Sequence, residues 1–114
     1  MKRINGRTAR PYVQRKEPFK NSNGQLYAVW HTDPHNEDNS RYVVYSYGYH
    51  WPLFVYVPKA DTWFENSDRH SVTTSRHRTF THPHCDTVPL SLENIKLLDR
   101  LGYTSMAYER LTNG

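Results

Sequence analysis

The chain has 114 residues, a hydrophobic fraction of 36% and a net charge of +4 at pH 7. This length suits one domain, and no run approaches the roughly twenty apolar residues of a transmembrane helix. A single cysteine excludes an intrachain disulfide and favours a reducing, cytoplasmic location, and no apolar segment follows the basic N-terminus as a signal peptide requires.

The first twenty residues are strongly basic, with seven Lys or Arg and one Glu. Residues 1–10 show no hydrophobic periodicity, whereas Tyr12, Val13 and Phe19 allow partial order in residues 11–20. We predict a flexible basic arm over residues 1–20 and a single β-rich domain over 21–114. Such an arm either serves solubility alone or neutralises the phosphates of a nucleic acid. Its candidate phosphate contacts are Lys2, Arg3, Arg7 and Arg10.

β-Branched and aromatic residues predict four strands in the first part of the domain. Residues 41–47 would place bulky side chains on both faces of a strand, which predicts a central position in the sheet. The Asn23–Gly24 pair predicts a turn before the first strand. The other three strands are predicted at residues 25–31, 53–57 and 62–65.

The rest of the domain is predicted to contain a polar edge strand at 70–80 and one helix at 91–101, with Ser91 as its N-cap. Residues 81–89 contain two prolines and are predicted to be irregular. Residues 103–111 suit a short final strand or a frayed extension. The predicted fold is α+β, with a mostly antiparallel sheet of about four to six strands packed against one C-terminal helix.

The predicted strand at 70–80 is rich in hydroxyl, arginine and histidine side chains. Guanidinium groups suit phosphate, and aromatic rings suit stacking with bases, so this strand indicates a surface for single-stranded nucleic acid. The alternative is an ordinary solvated edge strand. The candidate surface comprises Tyr47, His50, Trp51, Arg76, His77 and Arg78.

Gly48 and Pro52 lie between the predicted strands at 41–47 and 53–57 and are expected to break the pairing there. Binding residues are often displayed at such strand ends, which would direct His50 and Trp51 outwards. The alternative is a structural bend in which Trp51 packs into the core.

The chain contains seven histidines, which raises the question of a metal site. His82, His84 and Cys85 have zinc-compatible donor atoms. However, the chain has no Cys-x-x-Cys and no two ligand pairs at zinc-finger spacing, so neither a metal nor a cofactor is predicted.

A metal-free nuclease is a further alternative. His50 and His77 would form the acid–base pair, and Arg76 or Arg78 would hold the phosphate. With seven imidazoles in the chain, two can meet by chance, so an enzyme is the least favoured class.

Several residues occur in a fixed order between residues 41 and 78. They are Tyr45-Ser-Tyr-Gly48, His50, an aromatic residue and Pro52, then Trp63 and Asn66, then Ser71-Val-Thr-Thr-Ser-Arg-His77. This pattern resembles one in small bacteriophage-encoded accessory proteins of unknown function. The resemblance implies a phage protein that acts in the cytoplasm of the infected cell by binding nucleic acid or a host protein.

Taken together, these features predict a non-enzymatic protein that contacts DNA or RNA through the arm and the candidate surface. The alternative is a phage inhibitor or adaptor, for anti-defence or host takeover, because Tyr, Trp and Arg dominate protein interfaces. A homodimer is a further possibility for a short β-rich chain, and no membrane contact is predicted.

Overall fold

The computed structural model describes residues 1–36, 39–47, 51–68 and 72–102, and the segment predicted at 103–111 lies outside them. The described residues form a seven-stranded sheet and three α-helices, with short 3₁₀ turns at Gly6–Thr8 and Pro58–Ala60. None of these helices has the length and apolar character needed to cross a membrane. In chain order the elements are β1 (Lys2–Ile4), α1 (Arg10–Gln14), β2 (Phe19–Asn21), β3 (Leu26–His31), β4 (Arg41–Ser46), β5 (Pro52–Val57), β6 (Thr62–Asn66), α2 (Val72–Thr81), β7 (Thr87–Leu90) and α3 (Leu92–Leu101).

The strands lie in the sheet in the order in which they occur in the chain. β2 to β6 form an antiparallel meander, whereas β1 pairs with β2 and β6 pairs with β7 in parallel. Parallel pairs need crossover connections, and these are right-handed in nearly all proteins. β1 and β6 run in the same direction, and both crossovers step the same way across the sheet. Handedness therefore places α1 and α2 on the same face, where they contact each other.

Each face of the sheet is covered by its own apolar cluster. On the face of α1 and α2, the cluster includes Val13 of α1 and the central sheet residues Val44 and Phe54. On the opposite face, Ile95 and Leu98 of α3 pack against the sheet. The first cluster comprises Ala9, Val13, Phe19, Leu26, Ala28, Tyr42, Val44, Leu53, Phe54 and Trp63.

The α+β class, the mostly antiparallel sheet and the C-terminal helix are confirmed. β4 is the fourth of the seven strands, and residues 42–46 are all buried, as expected for a central strand. α3 begins after Ser91, whose Oγ accepts a hydrogen bond from the Asn94 backbone N–H at 3.2 Å. The bulk on both faces of β4 and the cap of α3 were therefore reliable signals.

The prediction of a strand at 70–80 is wrong, because residues 72–81 form α2. The buried side of this helix consists of Thr74, His77 and Thr81, so it lacks the apolar stripe that identifies a helix in a sequence. The threonines instead favoured a strand. Residues 87–90, which overlap the segment 81–89 predicted to be irregular, form β7. The described part of the chain therefore contributes seven strands to the sheet rather than about four to six.

The flexible arm predicted for residues 1–20 is not confirmed. Lys2–Ile4 pairs with Phe19–Asn21 at one edge of the sheet, and the chain segment that connects these two strands contains α1. Three apolar side chains of this region, Ala9, Val13 and Phe19, are fully buried. These residues supply enough apolar contact to order a segment whose overall composition is basic.

Both edges of the sheet are short. β1 has three residues, two of them basic, and β7 has four residues that include Pro89. Short length, positive charge and proline all discourage pairing with a second sheet edge. A homodimer stays a prediction, and neither of these two edge strands is long enough for extended pairing with a second copy of the chain.

We expect Leu98→Ala to lower the free energy of unfolding by about 2–5 kcal/mol, because the side chain is fully buried against the sheet and its removal leaves a cavity. Urea unfolding followed by tryptophan fluorescence measures this loss. The matched control is Leu101→Ala on the same helix. Leu101 is 39% exposed, so its truncation should cost about 1 kcal/mol or less. Equal losses in the two variants would contradict the orientation of α3.

Candidate functional site

A pocket of about 350 Å³ lies where α2 meets the 3₁₀ turn Gly6–Thr8. From α2 it is lined by Thr73, Arg76, His77 and Phe80, and Arg7 completes the lining. Positions 73, 76, 77 and 80 follow helical spacing and therefore share one face of α2. The two crossovers on one face of the sheet bring this helical stripe and Arg7 together.

The described lining of this pocket contains two guanidinium groups and no carboxylate. Arg7 and Arg76 are both exposed, and among the described residues neither forms an ion pair. By contrast, Arg15 pairs with Glu17 at 2.9 Å. The pocket, called here the two-arginine pocket, is therefore an electropositive site suited to an anion.

His77 is buried beneath the exposed residues of the pocket, and its Nδ1 lies 2.7 Å from the Oγ of Ser46 on β4. Burial lowers the pKa of His77, so the imidazole is neutral at pH 7. Ser46 is itself fully buried and has no access to a substrate as a nucleophile. The pair instead orients the imidazole, whose other ring nitrogen remains for a neutral hydrogen bond.

Tyr47 adjoins the pocket and is 42% exposed, with its ring centroid 6.0 Å from that of His77. Its backbone adopts φ 61°, a left-handed conformation that is uncommon for residues other than glycine. The Tyr47 backbone N–H donates to the Gln25 carbonyl oxygen at 2.7 Å, which attaches Tyr47 to the residue that precedes β3. An aromatic ring is therefore held at the surface beside His77 of the pocket.

The structure separates Arg78 from Arg76, which would share one face if residues 70–80 formed the predicted strand. Residues two apart on a helix do not face each other. Arg78 Nε lies 3.7 Å from Glu65 Oε2, and its side chain is largely buried. Arg78 therefore belongs to an internal ion pair rather than to the pocket.

Arg10 also has an internal role. Its Nε donates to the His82 carbonyl oxygen at 2.8 Å, and its Nη2 donates to the Thr79 carbonyl oxygen. These carbonyls lie at the C-terminal end of α2, where a cation also complements the helix dipole. Arg10 thus ties the start of α1 to the end of α2.

The other predicted contacts lie in different surroundings. Lys2 and Arg3 are exposed on β1; Lys2 Nζ lies 5.6 Å from the centroid of the Tyr12 ring, and Arg3 Nη1 lies 3.4 Å from the Ser22 carbonyl oxygen. Trp51 packs against the apolar cluster on the face of α1 and α2, as the bend alternative predicted. His50, and with it the predicted acid–base pair, lies outside the described residues.

The candidate metal ligands are engaged in local contacts. His82 Nδ1 accepts a hydrogen bond from the His84 backbone N–H at 3.0 Å, and its Nε2 lies 3.2 Å from Glu65 Oε1. Cys85 is exposed, and partial burial together with the nearby Asp86 raises the pKa of its thiol. Within the part of the chain that the structure describes, no three His, Cys, Asp or Glu side chains are grouped as metal ligands.

A second polar cluster, which no pattern in the sequence predicted, lies on the face of α3. The Tyr45 hydroxyl donates to Asp99 Oδ1 at 2.7 Å and also lies 2.7 Å from His31 Nε2. Burial and this carboxylate raise the pKa of Tyr45, so the phenol keeps its proton. Arg41 Nε donates to the Asp99 carbonyl oxygen at 2.7 Å. These bonds attach the end of α3 to β3 and β4, which gives the cluster a structural role.

Comparison with protein-family models, with curated proteins and with solved structures finds no match to this chain. The class of protein therefore rests on the fold and the site. The described residues form a small α+β protein with a seven-stranded mixed sheet and an electropositive pocket. The resemblance to phage accessory proteins stays a prediction.

We expect Arg10→Gln to lower the free energy of unfolding by about 1–2 kcal/mol, because two carbonyl groups at the end of α2 lose their donor. Arg100→Gln is the matched control, since Arg100 is exposed on α3 and its substitution should change stability by about 0.5 kcal/mol or less. Urea unfolding of both variants tests the structural role of Arg10, and equal stabilities would contradict it.

We also expect the stability of the protein to fall as the pH drops below about 6.5, partly because of His77. Its pKa in the folded chain is lower than the ordinary value of 6.5, so the unfolded chain binds the extra proton. This contribution is complete above pH 6.5 and is lost as the pH falls. His77→Gln should therefore reduce the loss of stability between about pH 7 and about pH 5, as measured by urea unfolding.

His31 allows a parallel test, because burial lowers the pKa of its imidazole as well, although the nearby Asp99 carboxylate acts to raise it. His31→Gln should reduce the same pH dependence independently, since the two histidines lie on opposite faces of the sheet. An unchanged pH dependence in His77→Gln would contradict the burial of a neutral imidazole.

Proposed function

We propose that this protein binds nucleic acid, with the two-arginine pocket as its main phosphate contact. The observation that carries the proposal is that Arg7 and Arg76, distant in sequence, line one pocket whose described lining includes no carboxylate. Guanidinium groups donate paired hydrogen bonds to phosphate oxygens and release counterions from the nucleic acid on binding. Arg7 and Arg76 therefore provide affinity that does not depend on sequence.

The exposed strand β1 extends the basic surface. Lys2 and Arg3 lie only a few residues before Arg7 in the chain and are exposed. Lys2 lies over the Tyr12 ring on the face of α1, so a phosphate that flanks the one in the pocket would contact Lys2. Arg3, the next residue of the strand, points to the opposite face and is not part of this surface. Arg10 and Arg78 are not part of the proposed surface, because their guanidinium groups are engaged inside the fold.

Tyr47 supplies the aromatic contact of the proposed surface. Its ring is partly exposed beside the pocket, and stacking of a base on such a ring contributes about 1–3 kcal/mol in proteins that bind single strands. Bases within a duplex are already stacked on each other and are not available to the ring. The proposal therefore favours single-stranded DNA or RNA over duplexes.

We expect Arg7→Gln and Arg76→Gln each to weaken binding of a single-stranded oligonucleotide about tenfold at low salt, the loss of roughly one charge-assisted contact. Each substitution should also reduce the slope of log Kd against log salt concentration by about one. Fluorescence anisotropy between about 50 and 200 mM salt measures both quantities.

Arg100→Gln is the matched control, because it removes the same charge from an exposed position on α3, on the opposite face of the sheet. It should leave both quantities nearly unchanged. Equal weakening by all three substitutions would show that net charge rather than the pocket determines binding. Failure of the unmodified protein to bind below tens of micromolar at about 50 mM salt would refute the proposal.

A further inference from the structure

We propose that the two-arginine pocket recognises a terminal phosphate of a single strand rather than the phosphates along its backbone. This inference rests on the proposed function and specifies its ligand. It follows from the charge of the pocket, from its shape and from its uncharged lining residues.

The charge of the pocket matches a phosphate monoester. An internal phosphodiester carries one negative charge, whereas a terminal phosphate carries about 1.5–2 at neutral pH and has three free oxygens. Arg7 and Arg76 place two permanent positive charges around one pocket, and no carboxylate of the described lining offsets them. One guanidinium suffices for a diester, so two favour the more highly charged group.

The shape of the pocket also favours an end. Its volume of about 350 Å³ lies near the lower limit for small-molecule sites and exceeds that of a phosphate group, so it can take a phosphate together with part of the attached nucleotide. Proteins that bind along a strand use an extended basic groove that follows several nucleotides. The five lining residues instead come from one helical stripe and one turn, which form a single compact site.

The remaining lining residues add uncharged hydrogen bonds. Thr73 and His77 both line the pocket; Thr73 carries a hydroxyl group, and the His77 ring has a second nitrogen that Ser46 does not occupy. When the Ser46 hydroxyl donates to Nδ1, the imidazole carries its proton on Nε2 and can donate to a phosphate oxygen. A third phosphate oxygen would thus find a donor after the two guanidinium groups are engaged.

Two aromatic rings are placed for the first nucleotide of the strand. Phe80 lines the pocket itself, and Tyr47 lies beside it with its ring partly exposed. In a single strand, the base attached to the bound phosphate is not paired with a complementary strand and can therefore stack on Tyr47. The ligand is therefore a phosphorylated end of single-stranded nucleic acid.

The test uses the full chain and three versions of one oligonucleotide of about ten nucleotides with an internal fluorescent label. One carries a 5′ phosphate, one a 3′ phosphate, and one has hydroxyl groups at both ends. We expect one phosphorylated version to bind at least about tenfold more tightly than the hydroxyl version, the effect of one added charge-assisted contact. Inorganic phosphate at constant ionic strength should remove this preference by competing for the pocket.

Variants assign the preference to the pocket. Arg76→Gln should abolish it, Arg76→Lys should retain only part of it because an ammonium lacks the guanidinium fork, and Arg100→Gln should retain it fully. Circular dichroism confirms that each variant is folded. A preference that survives Arg76→Gln would overturn the assignment to this pocket.

The outcomes separate this inference from the proposed function. Equal affinity for all three oligonucleotides would overturn recognition of an end and leave nucleic-acid binding in place. Failure to bind any of them would overturn both.

Discussion

The right-handed connection between parallel strands is the constraint that determines where the candidate binding residues lie. An antiparallel meander alone would place turns at the two ends of the sheet and leave its faces uncovered. The parallel pairs at its edges require crossovers instead, and both crossovers fall on the same face. Arg7, from the first crossover, and Arg76, from the second, meet for that reason.

α2 is held on the sheet mainly through polar side chains, which gives it a different energetic character from α3. α3 buries Ile95 and Leu98 completely, whereas the buried residues of α2 are two threonines and His77. Buried polar groups add stability only when they are hydrogen bonded, and His77 finds its partner in Ser46. Such packing gains less from the hydrophobic effect, but it fixes the direction of each polar group beside the pocket.

The sequence predicted the elements whose signals are local. β4 is bulky on both faces, and α3 has a cap and an apolar stripe, so both were placed correctly. α2 was missed because its threonines indicate strand and its helical stripe, 73, 76, 77 and 80, is not apolar. The order in residues 1–20 was missed because charge outweighed three apolar residues whose partners lie far along the chain.

The candidate site depended on partners that no local pattern reveals. Arg7, Arg10, Arg76 and Arg78 are equivalent in the sequence as cations, yet Arg10 and Arg78 are engaged with carbonyl groups and Glu65. Only three-dimensional neighbours separate the candidate binding arginines from the structural ones. This separation leaves Arg7 and Arg76 in the pocket, where two positive charges are concentrated, with Lys2 exposed on β1. A surface with two concentrated charges gains more from one highly charged phosphate than from several weakly charged ones, which is the physical reason to expect selectivity for an end.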